Sequence, residues 1–160
     1  MNTDLWNFAV SLYARPGVEA ACLDMQDQGG NVCLLLCGAW LETRGVKPDA
    51  TRVEHLQQLA EPWHRQVVTP LRVLRQQWRK AASVDPAQAR LREQLKALEL
   101  TAERELLERL QTASSVWPVA EVTVSDWLER LAPDGVTAYR DALHKLRVAA
   151  AGTQDAVDGD

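Results

Sequence analysis

No stretch of this chain is long and apolar enough to cross a bilayer. The longest apolar run, Asn31 to Leu41 (N-V-C-L-L-L-C-G-A-W-L), is about half the ~20 residues that a spanning helix needs. The N-terminal M-N-T-D-L-W lacks the basic region and cleavage site of a secretory leader, so no membrane association is expected. Cysteine is scarce and odd in number, three in 160 residues, which points to reduced thiols and a cytoplasmic setting. β-Branched and aromatic strand formers are few, with one Phe and two Tyr, while Leu, Ala, Glu, Gln and Arg dominate. That balance excludes a sheet-based core and predicts an all-helical fold. Neither a P-loop nor a GxGxxG turn occurs. His55, His64 and His144 are scattered, with no Ser/His/Asp or Cys/His grouping around them. No catalytic residue, metal site or cofactor is therefore expected.

What remains is helical patterning. Leu5, Phe8, Ala9 and Leu12 follow one helix face, with Thr3 placed to cap it. Arg15-Pro16-Gly17 breaks that helix, and Pro16 suits the first turn of a second with Val18, Ala21, Cys22 and Met25 inward. Gly29-Gly30 ends it, Asn31 caps the third helix, and Gly45 closes that one. A helix apolar on all sides belongs at the centre of a core, so this third helix is expected to be buried.

From Asp49, the residues Val53, Leu56, Ala60, Trp63, Val67, Leu71, Leu74 and Trp78 hold one helical face through Pro62 and Pro70. Residues 50–80 read either as one bent helix or as two collinear pieces, with Thr69-Pro70 as a second cap. Asp85-Pro86 caps a helix running to about Ser114 with a stripe from Leu91 to Ala113. The short link between them predicts a long antiparallel hairpin. A short extended piece at 119–123, a helix near 125–131 and a last helix from Asp134 to about Ala150 complete six or seven helices. Residues 1–150 read as one domain and 151–160 as a disordered acidic tail.

The stretch L-W-N-F-A-V-S-L-Y-A-R-P-G-V-E, continued by L-D-M-Q-D-Q-G-G-N-V-C-L-L-L-C-G-A-W-L, resembles an uncharacterised family of short helical proteobacterial proteins. The later P-L-R-V-L-R-Q-Q-W-R-K is similar to a second block of that family, a domain of unknown function. The resemblance spans roughly residues 5–115. It implies a compact helical cytoplasmic protein and no particular activity. The family pattern carries Asn where this chain has Cys33, which weakens any role for that thiol.

The net charge of −4 conceals a segregation. Residues 64–96 carry eight basic groups and two acidic ones, whereas both flanks are acidic. Arg72, Arg75 and Arg79, with Trp78 among them, read as a strip for an acidic protein partner or an anionic ligand. The same arginines can instead pair with the chain's own acidic C-terminal third. An acidic chain is a poor nucleic-acid binder, so nucleic acid ranks last, while the long stripes offer a homodimer seam. A second reading places an anionic-ligand site, with or without catalysis, between the N-terminal helices and the hairpin, using Asp24, Asp27 and Arg44. Cys33 and Cys37, one turn apart, read as core hydrophobes rather than metal ligands.

Overall fold

The computed structural model describes residues 4–120, 125–133 and 140–158, with side chains of the last helix as far as Gly152. It is all-helical, and among the described residues strand pairing is limited to an isolated bridge between Val46 and Val119. α1 spans Leu5–Tyr13 and buries Leu5, Phe8, Ala9 and Leu12, as the spacing predicts. Its cap is Asp4, whose carboxylate accepts from the Asn7 amide at 2.7 Å; the predicted Thr3 lies outside the described residues. α2 spans Val18–Asp27, and Pro16 sits in the turn before it rather than in its first turn.

α3 (Val32–Arg44) buries every residue from Cys33 to Leu41 and packs against α1, α2 and four of the helices described below. Asn31 caps it by accepting from the Leu34 amide at 3.3 Å. At Gly38 a Cβ would stand 2.9 Å from the end of the Leu131 side chain, which would have to shift to admit it. Gly45, with φ +72°, stops α3 in a conformation that L-residues resist.

α4 (Ala50–Trp63) and α5 (Thr69–Gln77) form one helical run, joined by a π-helical turn over His64–Val68. The Thr69 amide reaches back five residues to the His64 carbonyl. Thr69 is itself helical (φ −61°, ψ −45°), so it does not cap a new helix. Pro70 has no amide to donate and its ring crowds the carbonyl one turn back, and a wider turn relieves both. The extra residue shifts the buried face by one position. Val68 is buried where the uniform stripe predicts Val67.

After α6 (Arg79–Ala82), Asp85 caps α7 (Pro86–Ser114), which returns antiparallel against α4 and α5. The Trp63 indole donates to the Ala102 carbonyl at 2.9 Å and pins the hairpin register. α8 (Trp127–Leu131) and α9 (Arg140–Asp158) close over the other side of α3. The last helix extends to Asp158, past its expected end near Ala150 and over the stretch expected as a tail; its expected start at Asp134 lies outside the described residues.

An ion-pair cluster locks this second side. Arg147 of α9 grips Glu42 of α3 through two contacts, at 2.7 and 2.9 Å, and Glu129 of α8 at 2.6 Å. Glu42 Oε2, one of the two oxygens held by Arg147, also accepts from the Leu128 amide at 2.9 Å. Arg147 holds the Glu129 carboxyl below the usual carboxylate range. Trp127 donates to the Val46 carbonyl at 2.7 Å and stacks on Trp117 at 5.8 Å. Glu42 is nearly enclosed, whereas Arg147 is more than a third exposed and keeps Glu129, so Glu42→Ala is expected to lower unfolding free energy by about 1–2 kcal/mol in urea titrations, chiefly by leaving the Leu128 amide without its acceptor.

Candidate ligand-binding cleft

The hairpin does not lie flat on the N-terminal helices. Between them opens a cleft of about 650 Å³, lined by α1, α2, the start of α3, the π-helical turn, α5 and α7. Trp6, Val10 and Tyr13 of α1 form one apolar wall. Leu23, Leu36, Val68, Leu100 and Leu107 contribute the rest. Leu23, Val10 and Leu100 are about half exposed, which is costly for apolar side chains that nothing covers.

One end of the cleft is polar. Arg72 contacts Glu99 at 3.4 Å and Glu103 at 3.0 Å, and Arg75 contacts Glu99 at 2.7 Å. With its amide oxygen turned toward Arg72, Gln26 of α2 accepts from the guanidinium at 2.9 and 3.2 Å. Arg72 and Glu99 retain only 13% and 9% side-chain exposure, so these are interior ion pairs rather than a solvated face. Burial pushes the Glu103 carboxyl above its ordinary value of 4.5, with Arg72 opposing the shift. His64 is held below its ordinary range by burial first and by Arg72 second, which keeps it neutral near pH 7. Burial, with the nearby Cys22 and Glu19, raises the Tyr13 phenol to about 12.

Two nitrogens around this cleft are buried without a hydrogen-bond partner, Asn31 Nδ2 and His64 Nε2. The Asn31 amide is oriented by its capping bond, because its oxygen is engaged with the Leu34 amide.

The predicted arginine strip is not one exposed surface. Arg72 and Arg75 turn into the cleft, Arg79 is exposed further along the hairpin, and Trp78 is half-buried at the end of α5. The alternative site is not assembled at all. Asp24 and Asp27 are exposed, Asp24 accepting from Gln28, while Arg44 lies over the Trp40 ring at 4.3 Å. None of the three lines the cleft. Cys33 lines it with its thiol directed at the Glu103 carbonyl, and Cys37 is fully enclosed. Burial raises all three thiols, Cys22 and Cys37 to about 12, so none is a ready nucleophile or ligand. Among the described residues no three His, Cys, Asp or Glu side chains are grouped to hold a metal ion.

Sequence reasoning missed Glu99, Glu103, Asn31 and His64. The signal for the first two was present: carboxylates one turn apart on α7, opposite Arg72 and Arg75 in an antiparallel hairpin.

Fold and cleft define the class: an all-helical protein with a mid-sized cleft between an N-terminal helical layer and a long hairpin. A family model for a protein of unknown function (DUF2390) matches residues 4–110, and the chain belongs to that family. That span contains every residue lining the cleft. No curated protein and no solved structure matches the chain. No helix among the described residues is long and apolar enough to cross a membrane.

Two outcomes follow from the ion pairs. Glu99→Ala strands the Arg75 guanidinium and leaves Arg72 with Glu103 as its remaining carboxylate, and is expected to cost about 3 kcal/mol, against under about 0.5 kcal/mol for Glu108→Ala in the exposed Arg104 pair, both by urea unfolding. Glu103 binds its proton more tightly folded than unfolded, so its contribution is greatest in acid and declines as pH rises past 4.5. Subtracting the Glu103→Gln unfolding free energy from that of wild type should therefore give a difference that falls with pH across that window.

Proposed function

We propose that this protein binds a small amphipathic organic molecule in the cleft between its N-terminal helices and the hairpin. The observation that carries this reading is the cleft itself. Its 650 Å³ falls in the roughly 300–1,000 Å³ range of small-molecule sites, with apolar walls and a few polar groups at one end. A structural gap of that size lined by Trp6, Val10, Leu23 and Leu100 would forfeit packing on every wall.

Binding rather than covalent chemistry suits the groups present. The thiols are buried and protonated, His64 is neutral, and the carboxylates of Glu99 and Glu103 are engaged with arginines. A reducing, cytoplasmic setting would preserve those thiols. The arginine-strip reading, in which Arg72, Arg75, Arg79 and Trp78 bind a protein partner, has less support. Two of its three cations are already committed inside the fold.

The test is fluorescence titration with the neutral apolar dye N-phenyl-naphthylamine. Wild type should bind it saturably. Val10→Glu and Leu100→Glu, each at a half-exposed position on the cleft wall, should weaken it about tenfold. Val84→Glu, at a highly exposed position outside the cleft, should leave binding unchanged. Absence of dye binding, or indifference to both wall variants, would overturn the reading.

A further inference from the structure

We infer that the cleft's ligand is a cationic amphiphile, an amine whose ammonium settles at the Glu19 side of the cleft while its apolar body lies between α1 and α7. This rests on the reading of the cleft as a small-molecule site and names the charge of what it takes.

The cations of the lining are already committed. Arg72 is held by Glu99 at 3.4 Å, by Glu103 at 3.0 Å and by the Gln26 oxygen. Arg75 reaches both oxygens of Glu99, at 2.7 and 3.1 Å. An incoming anion would have to displace a carboxylate from these largely enclosed pairs, leaving it desolvated and unpaired. Lys96 at the rim is bonded at 3.2 Å to Glu93, a carboxylate from outside the lining. An anionic head would also face Glu103, which lines the cleft with 28% of its side chain exposed.

Glu19 is the converse case. It lines the cleft from the first turn of α2, is exposed, and has no ion-pair partner among the described residues. Its charge is felt on the apolar wall, where Tyr13 of α1 reports it. The Tyr13 phenol is raised to about 12 by burial first, then by Cys22, Glu19 and Glu103, while the opposing pull of Arg72 is the smallest influence. Carboxylates therefore outweigh the guanidinium at this wall. Trp6 and Tyr13, both in the lining, are aromatic, a surface that attracts an ammonium. A cation with an apolar body meets Glu19 without breaking any existing pair. A neutral head gains nothing from that carboxylate.

The experiment displaces N-phenyl-naphthylamine from the full chain at pH 7 with octylamine, 1-octanol and octanoate, which share a linear apolar body and carry positive, zero and negative charge. Octylamine should outcompete octanoate by about fivefold or more. Glu19 is exposed, so Glu19→Gln should leave folding and dye affinity intact. In that variant octylamine should lose about fivefold in affinity while 1-octanol stays within about twofold. Glu54→Gln, at an exposed position outside the cleft, should change neither. Octanoate matching or outcompeting octylamine in wild type would overturn the inference. So would unchanged octylamine affinity in Glu19→Gln, equal weakening of octylamine and 1-octanol there, or equal weakening of octylamine by Glu54→Gln. Dye that binds but is not displaced by octylamine would overturn it while leaving the cleft as a site. Failure of the dye itself to bind wild type would instead reject the cleft, and this inference with it.

Discussion

The guanidinium of Arg72 is where the separate parts of this molecule meet. It comes from α5, faces Glu99 and Glu103 on the returning arm of the hairpin, and takes the Gln26 oxygen from α2. A guanidinium serves three partners at once because its donors are fixed in one plane and its charge does not titrate. Interior ion pairs of this kind add little net stability, since desolvation offsets attraction, but removing one partner is costly. Their effect is therefore positional. The cluster ties the hairpin to the N-terminal layer at one end of the cleft, while the apolar walls beyond it remain apart.

On the opposite side of α3 the contacts are of another kind. Its continuous apolar surface leaves no wet face, so neighbouring helices must enclose it on every side. Glu42 is the exception that proves useful: a carboxylate at the end of α3 that fastens α8 and α9 through Arg147 and the Leu128 amide. Tryptophan and arginine join the layers elsewhere. Arg104 lies over Trp6 at 4.7 Å, Arg109 over Trp63 at 4.0 Å and Arg52 over Trp117 at 5.3 Å. Each pair covers an indole face while its other edge packs or hydrogen-bonds, a reason for six Trp in a chain otherwise poor in aromatics.

The N-terminal half of the fold was largely legible. Periodicity located the buried faces of α1 and α2, and caps and glycines bounded α3, because these signals are local. The cleft was not legible, for a reason that one residue explains. A uniform helical period carried through residues 50–80 places Val67 inward and sets Arg72 and Arg75 on an outer strip. The π-helical turn inserts one residue into that phase, buries Val68, and brings Arg72 and Arg75, four and seven residues on, to the inner side. Pro62 and Pro70 announced an interruption without revealing its form. Asp24, Asp27 and Arg44 had charge without convergence, since the two aspartates lie on the solvent side of α2, away from its buried Val18, Ala21, Cys22 and Met25.

The central claim, a small molecule seated between α1 and the hairpin, is most directly tested by the indole N–H resonances in a nitrogen-15 NMR titration with N-phenyl-naphthylamine. The six tryptophans are distributed so that Trp6 lines the cleft whereas Trp78, Trp117 and Trp127 do not. The account predicts a saturable shift of the Trp6 indole with the resonances of those three unmoved. An unmoved Trp6 at saturating N-phenyl-naphthylamine, or shifts concentrated at Trp78, Trp117 or Trp127, would contradict it.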